Sequence, residues 1–306
     1  MARTATRAED SELLAKHPLN YKLGGYTYHA STDGKNATYS VSDSTSSFSA
    51  TLKWAFGIRM GQSYLFEKGG GIHMAPLTYY PEVGVWDFTV DQPHATPDSL
   101  EKGTGRHLLD DEVRGCFNCH NTAATTSDKF DPEHSIPGVT CEACHGPSAY
   151  HVAAAGMGFA DGATMIFNPS HLRPVDSVDF CGACHRTWWD ITLAGGTGLK
   201  SLRFPPYRLE NSRCWGKGDA RLTCVACHDP HRPLIRDSIA YDEKCLSCHV
   251  NSAGAKPTAD HPGAACPTAR KDCVSCHMQK YKVTDIPVKF TDHQIRVVRD
   301  NEATPH

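Results

Sequence analysis

Six pentapeptides of one pattern, Cys-X-X-Cys-His, set the terms on which this chain can fold. They are Cys116-Phe-Asn-Cys119-His120, Cys141-Glu-Ala-Cys144-His145, Cys181-Gly-Ala-Cys184-His185, Cys224-Val-Ala-Cys227-His228, Cys245-Leu-Ser-Cys248-His249 and Cys273-Val-Ser-Cys276-His277. Together they use 12 of the 14 cysteines and 6 of the 18 histidines. At these residue frequencies roughly 0.04 such pentapeptides are expected by chance in a chain of this length. Zinc ribbons also pair cysteines at this spacing, but they do not require histidine directly after every second cysteine. Thioredoxin-like motifs come singly. A disulfide framework explains many cysteines but not many histidines.

Covalent haem is the chemistry that needs all three side chains at this spacing. Two thiols three residues apart on one turn reach the two vinyl groups on one edge of a porphyrin. The next imidazole then meets the iron from the same side. The motifs therefore predict six haem c groups, with His120, His145, His185, His228, His249 and His277 as proximal ligands. Six porphyrins between residues 116 and 277 must pack edge to edge or face to face. Electrons then pass along the row while the chain supplies ligation, spacing and electrostatics.

The other side of each iron is an open question at this level. Twelve further histidines exist: His17, His29, His73, His94, His107, His134, His151, His171, His231, His261, His293 and His306. Full bis-His ligation needs six of them. His231 lies three residues after His228 and His151 six after His145, too near to reach round their own porphyrins but well placed for a neighbouring one. His261 lies between the fifth and sixth motifs, and His293 follows the sixth. His134 and His171, in loops before motifs, complete the set, and His94 and His107 are reserves. Two cysteines are left over: Cys214 and Cys266 read as a structural disulfide or as a further metal or redox site.

The chain divides near residue 112, because no cysteine precedes that point. The expectation is an N-terminal β-rich region over 1–111 and a hexahaem region over 112–306. Ser11 or Asp10 caps a short helix through Leu13, Leu14 and Ala15, which ends at His17-Pro18. From Phe48 the residues alternate, with Phe48, Ala50, Leu52, Trp54 and Phe56 on one face and Ser47, Ser49, Thr51 and Lys53 on the other. Trp86, Phe88 and Val90 repeat the alternation. Gly57, Gly61 and Gly69-Gly70-Gly71 mark turns. A small antiparallel β unit is expected at roughly 20–95, covering apolar haem edges or serving as a docking surface. The second region lacks sustained periodicity. It reads as short helices around the cysteine pairs and long loops stapled by haem, so the fold class is mixed with little regular structure.

The composition excludes some roles. With 31 basic and 34 acidic side chains the net charge is −3, so no basic field points to nucleic acid. No run of 18 apolar residues spans a membrane. The first ten residues, MARTATRAED, hold no apolar segment of the kind secretory signals carry. Haem c is attached outside the cytoplasm, so the sequence reads as the mature part of a periplasmic or extracellular protein.

The motifs and their flanks resemble the multihaem c-type cytochromes of bacteria and archaea. The flanking resemblance rests on Gly-Val-Thr-Cys-Glu-Ala-Cys-His-Gly-Pro (138–147), Cys-His-Asp-Pro-His (227–231) and Cys-His-Met (276–278). It covers roughly 112–295. It implies low-spin bis-His haems in close rows and electron transfer as the shared activity, with redox proteins or copies of the chain itself as partners. Some members polymerise into extracellular filaments. Others are oxidoreductases for nitrogen or sulfur compounds, which need one haem with an open face. The Cys-X-X-Cys-Lys motif of the pentahaem nitrite reductases is absent. Trp188 and Trp189 are expected to pack on a porphyrin. Arg203, Arg208 and Arg213 are expected either to pair with haem propionates or to be solvated.

Overall fold

The computed structural model describes residues 4–126, 129–159, 165–196, 198–212, 214–215, 221–249, 269 and 271–298. His261, His306, Cys266 and Arg213 lie outside the described residues, and so does any pairing of Cys214 with Cys266. Two compact units emerge, one of residues 1–167 with 285–288 and one of 168–284 with 289–306. The first two Cys-X-X-Cys-His motifs belong to the first unit and the other four to the second.

In the first unit Ser11 caps helix α1 (Glu12–Lys16), its hydroxyl accepting the Leu14 N–H at 3.1 Å. The chain then runs as an antiparallel meander through β2 (Leu19–Leu23), β3 (Tyr26–Thr32), β4 (Ala37–Ser42), β5 (Ser47–Phe56), β6 (Ser63–Lys68) and β7 (Gly71–Met74). Gly69 and Gly70 close the β6–β7 hairpin, both with positive φ (60° and 80°), as a two-residue turn of this handedness requires. A late strand, β10 (Arg106–His107), adds to β7. The first strand, β1 (Ala5–Arg7), pairs with the far half of β5, Trp54–Phe56, beyond the part of β5 that pairs with β4. A separate hairpin joins β8 (Leu77–Tyr80) to β9 (Val85–Phe88).

The expected alternation of β5 holds only as far as Leu52. Between Leu52 and Trp54 the register against β6 shifts, and the irregularity turns the rest of the strand over. Leu52 and Ala55 enter one apolar cluster with Tyr39, Tyr64 and Phe66. Trp54 and Phe56 enter another with Val113 and Phe117. The strand expected through Val90 stops at Phe88. Thr89 is buried instead, its hydroxyl donating to the Ala75 carbonyl at 3.0 Å.

Beyond the sheet the regular structure is mainly short helices, with a few two- and three-residue strands between them. In order the helices are α2 (Leu100–Gly103), α3 (Asp110–His120), α4 (Cys141–His145), α5 (Ala149–Gly156), α6 (Pro174–His185), α7 (Trp188–Leu193), α8 (Pro205–Glu210), α9 (Cys224–Cys227), α10 (Asp242–His249) and α11 (Cys273–His277). The antiparallel sheet followed by short helices matches the expectation. Long apolar stretches are missing, and among the described residues no helix is long and apolar enough to cross a membrane.

Candidate haem centres

Every Cys-X-X-Cys-His motif lies on a helical turn. The motif ends α3, α6 and α10, constitutes α4 and α11, and forms α9 with His228 as its C-cap. Positions i, i+3 and i+4 of a helix share one face. The helices thus place both thiols and the imidazole of five motifs on one side, the arrangement that haem attachment needs, while His228 follows its helix in extended backbone.

The first motif is seated by the sheet. Phe117 is wholly buried, with its ring edge-on to Trp54 (5.4 Å between centroids), Phe56 (5.0 Å) and Phe130 (5.4 Å). Phe56 also stacks on the His120 ring at 5.3 Å. The shift after Leu52 is what brings these two strand residues to the helix. Asp110, Asp111 and Glu112 line its first turn, where the positive end of the helix dipole favours acids. Glu112 accepts from the Leu109 N–H at 2.8 Å, and Arg106 donates to both its oxygens.

Three proximal histidines share a second feature. His120 Nδ1 lies 3.0 Å from the Thr4 carbonyl, His145 Nδ1 2.8 Å from that of Phe167, and His277 Nδ1 2.9 Å from that of Arg296. A carbonyl cannot donate, so each Nδ1 carries a proton, and in the neutral imidazole that leaves the lone pair on Nε2. Iron ligands need that tautomer, and outer partners of this kind fix ring orientation as well.

In the second unit consecutive motifs touch. The Cys181 and Cys224 thiols are within hydrogen-bonding distance, as are those of Cys245 and Cys273. Cys227 and Cys248 are close enough to feel each other's charge. Asp242, at the start of α10, accepts the N–H groups of Asp272 (2.6 Å) and Cys273 (2.9 Å) and so caps α11 from the preceding motif's helix. The third to sixth motifs thus form a contiguous series in chain order.

Of the candidate second ligands, His293 stands apart. Its ring centroid lies 6.3 Å from that of His228, and its Nδ1 meets the Thr291 carbonyl at 3.1 Å. Enclosure, outweighing the raising effect of that carbonyl, holds its pKa down at about 4, with His228 adding to the lowering. Enclosure lowers His228 too, with His185 second. Both imidazoles are therefore neutral at pH 7. His151 is half-buried on α5. His134 is exposed, 2.8 Å from Asp131, whose carboxyl it holds below the usual range. His171 ends an exposed turn, and His231 is exposed beside Asp229. In the first unit His73 and His107 face each other across β7 and β10, ring centroids 5.1 Å apart.

Large apolar side chains are exposed mainly around the motifs. Tyr150, Met157, Phe159 and Phe167 lie near the second motif and Val175, Trp189 and Leu193 near the third. Such a surface fits a flat apolar body. Trp188 and Trp189 meet edge to face at 5.0 Å. The arginine expectation needs correction at one position. Arg208 is neither solvated nor turned to a propionate. It is buried, and its Nε and Nη2 each donate at 2.8 Å to a different oxygen of buried Asp292. Asp292 lies 84 residues away, a pairing that no local signal announces.

Comparison with known proteins finds haem cytochromes. The family described as cytochrome c554 and c-prime matches residues 91–146, which contain the first two motifs. The multiheme cytochrome MtrA of Shewanella baltica (strain OS185) is 24% identical over 228 residues, covering 60% of this chain. The chain spans 65% of that relative's length. Among solved structures, the outer cell wall cytochrome OcwA aligns with 81% of this chain and 68% of its own at 16% identity, with a TM-score of 0.37, too low to support a shared fold. Helix-borne Cys-X-X-Cys-His turns and the similarity to cytochrome c554 and to MtrA point to haem c as the cofactor. The motifs and these similarities support a multihaem c-type cytochrome.

Proposed function

We propose that the chain carries six haem c groups, one on each motif, and passes electrons along them with every iron ligated by two histidines. The haems supply the redox chemistry when bound. Cys116, Cys119, Cys141, Cys144, Cys181, Cys184, Cys224, Cys227, Cys245, Cys248, Cys273 and Cys276 are the attachment points. His120, His145, His185, His228, His249 and His277 are the proximal ligands. His134, His151, His171, His231, His261 and His293 are the second ligands. The carrying observation is the Nδ1-to-carbonyl bond shared by His120, His145 and His277. Three unrelated loops supply the acceptor, so helix geometry alone does not account for it. The close thiols of the third and fourth motifs, and of the fifth and sixth, support a row in chain order.

The same reading places the protein in the periplasm or outside the cell, where haem c is attached, with redox proteins or further copies of itself as partners. The tests are direct. The intact mass must exceed that of the chain by six haems, and EPR of the oxidised protein must show low-spin haem alone. A stoichiometric high-spin signal means an open iron and favours an oxidoreductase acting on a nitrogen or sulfur compound. Light scattering that finds one subunit's mass makes the protein a relay, and larger uniform assemblies make it a link in an extracellular filament.

A further inference from the structure

Asp292, His293, Gln294 and Ile295 are held by more polar contacts than a terminal loop needs. Arg208 and Asp292 form a two-pronged ion pair, and both side chains are almost wholly buried. The same guanidinium donates to Gln294 Oε1 at 2.7 Å. Ser212 donates to the His293 carbonyl at 3.2 Å and accepts the Ile295 N–H at 2.8 Å. Gln294 Nε2 reaches the Asn211 carbonyl at 3.2 Å. His293 is thus gripped on both sides by α8 and the residues that follow it. A buried ion pair is a poor source of net stability, since desolvation offsets most of its attraction. Its better use is to fix one geometry, and the planar fork of arginine suits that use.

The residue fixed here is the histidine facing His228. Two imidazoles on opposite faces of one metal, each with a metal–nitrogen bond of about 2.0 Å, hold their ring centroids about 6.2 Å apart. The observed separation is 6.3 Å. The outer nitrogens of both rings are turned to oxygen atoms, His293 Nδ1 to Thr291 and His228 Nδ1 to the Tyr241 hydroxyl at 3.4 Å. Nε2 is left on each for a metal.

We propose that His293 is the second axial ligand of the haem on the fourth motif, opposite His228, and that Arg208, Asp292 and Ser212 are its positioning residues. This rests on haem attachment at Cys224 and Cys227. The test uses the full-length holoprotein and three variants: His293→Gly, the paired Arg208→Met with Asp292→Leu, and Ser212→Ala. Haem number by mass is read first for each. Loss of a haem from the wild-type count would strike at the underlying reading rather than at this proposal. With all haems present, His293→Gly should convert one low-spin EPR signal of the six to high spin, and added imidazole should restore it. The paired variant keeps the volume apolar and should shift the g-values and midpoint potential of that same haem, leaving the other five alone. Ser212→Ala should shift them in the same direction, and it decides the matter if the paired variant does not fold. Six unchanged low-spin signals in His293→Gly overturn the ligand assignment. Unchanged spectra and potentials in both Ser212→Ala and a folded paired variant, or in Ser212→Ala alone if the pair does not fold, overturn the positioning role.

Discussion

Replacing Phe117 by alanine tests whether the sheet seats the first haem motif. Phe117 lies between the two cysteines of that motif, and its side chain is wholly buried against Trp54, Phe56 and Phe130. Truncating a buried phenylalanine typically costs about 3–5 kcal/mol, because the lost transfer energy is joined by a cavity that closes only in part. The edge-to-face contacts put this site at the upper end, since each aromatic pair adds roughly 0.5–1.5 kcal/mol beyond area burial. Phe117→Leu keeps most of the volume and should cost about 1–1.5 kcal/mol. Guanidinium unfolding followed by far-ultraviolet circular dichroism is the assay, because the chain's five tryptophans do not report Trp54 alone. The alanine variant should unfold at a clearly lower denaturant concentration and the leucine variant near wild type. The His120 haem should be perturbed in the alanine variant, because Phe56 touches both rings. An alanine variant within about 1 kcal/mol of wild type would refute the claim that this ring anchors the motif to the sheet.

Glu210 gives a pH dependence. Burial raises its carboxyl to about 7, with Asp179 adding to the rise. The folded state therefore binds the proton more tightly than the unfolded state, and stability falls as pH rises from about 4.5 to about 7. Allowing for the solvent on its open side, the loss should be on the order of 1–2 kcal/mol. Glu210→Gln should flatten that slope in denaturant midpoints measured at pH 5 and 7.5, and an unchanged slope would exclude Glu210 as its source. Gly182, inside the third motif, has no room for a side chain. A Cβ there would fall 2.7 Å from Thr187 Cγ2 and 3.0 Å from Thr187 Cα, so Gly182→Ala should cost about 1–3 kcal/mol by thermal unfolding. Gly57 combines a φ of +85° with the Gly61 carbonyl oxygen, which would lie 2.0 Å from an added Cβ. Gly57→Ala should accordingly lower the yield of folded protein or its melting temperature, and a wild-type melt would show that the turn relaxes freely.

Much of this was legible in the sequence, and the legible parts have a common character: they are set by neighbours in the chain. Ser11 caps α1 because a hydroxyl reaches an N–H three residues on. Gly69 and Gly70 turn the β6–β7 hairpin because only their backbones adopt those angles without cost. The motif helices follow from a spacing that works only on a turn. What escaped is set by tertiary contact. No residue pattern marks the shift after Leu52, which sends Trp54 and Phe56 to the side opposite Leu52. The acceptors for His120, His145 and His277 are backbone carbonyls, which every residue has, so sequence cannot single out Thr4, Phe167 or Arg296. Arg208 looked like any other arginine near a haem motif. Only the fold brings Asp292 to it.

That division bears on the histidines. On the proposed reading twelve histidines compete for the second faces of six irons, and their distance in sequence from a motif ranks them poorly. His231 is nearest to a motif, yet its side chain is 76% exposed and its loop is tied to Asp229. His293 is 16 residues past the last proximal histidine, yet its ring lies at axial-pair distance from the proximal ring of His228. A ligand must be neutral, have its outer nitrogen satisfied and be held still before the metal arrives, because the cost of ordering it is otherwise taken from the bond. Among the described second-ligand candidates His293 meets all three conditions: enclosure keeps it neutral, Thr291 takes its Nδ1 proton, and the buried ion pair holds its backbone. On the proposed assignment, the surroundings of a histidine, and not its proximity to a Cys-X-X-Cys-His turn, choose the axial ligand.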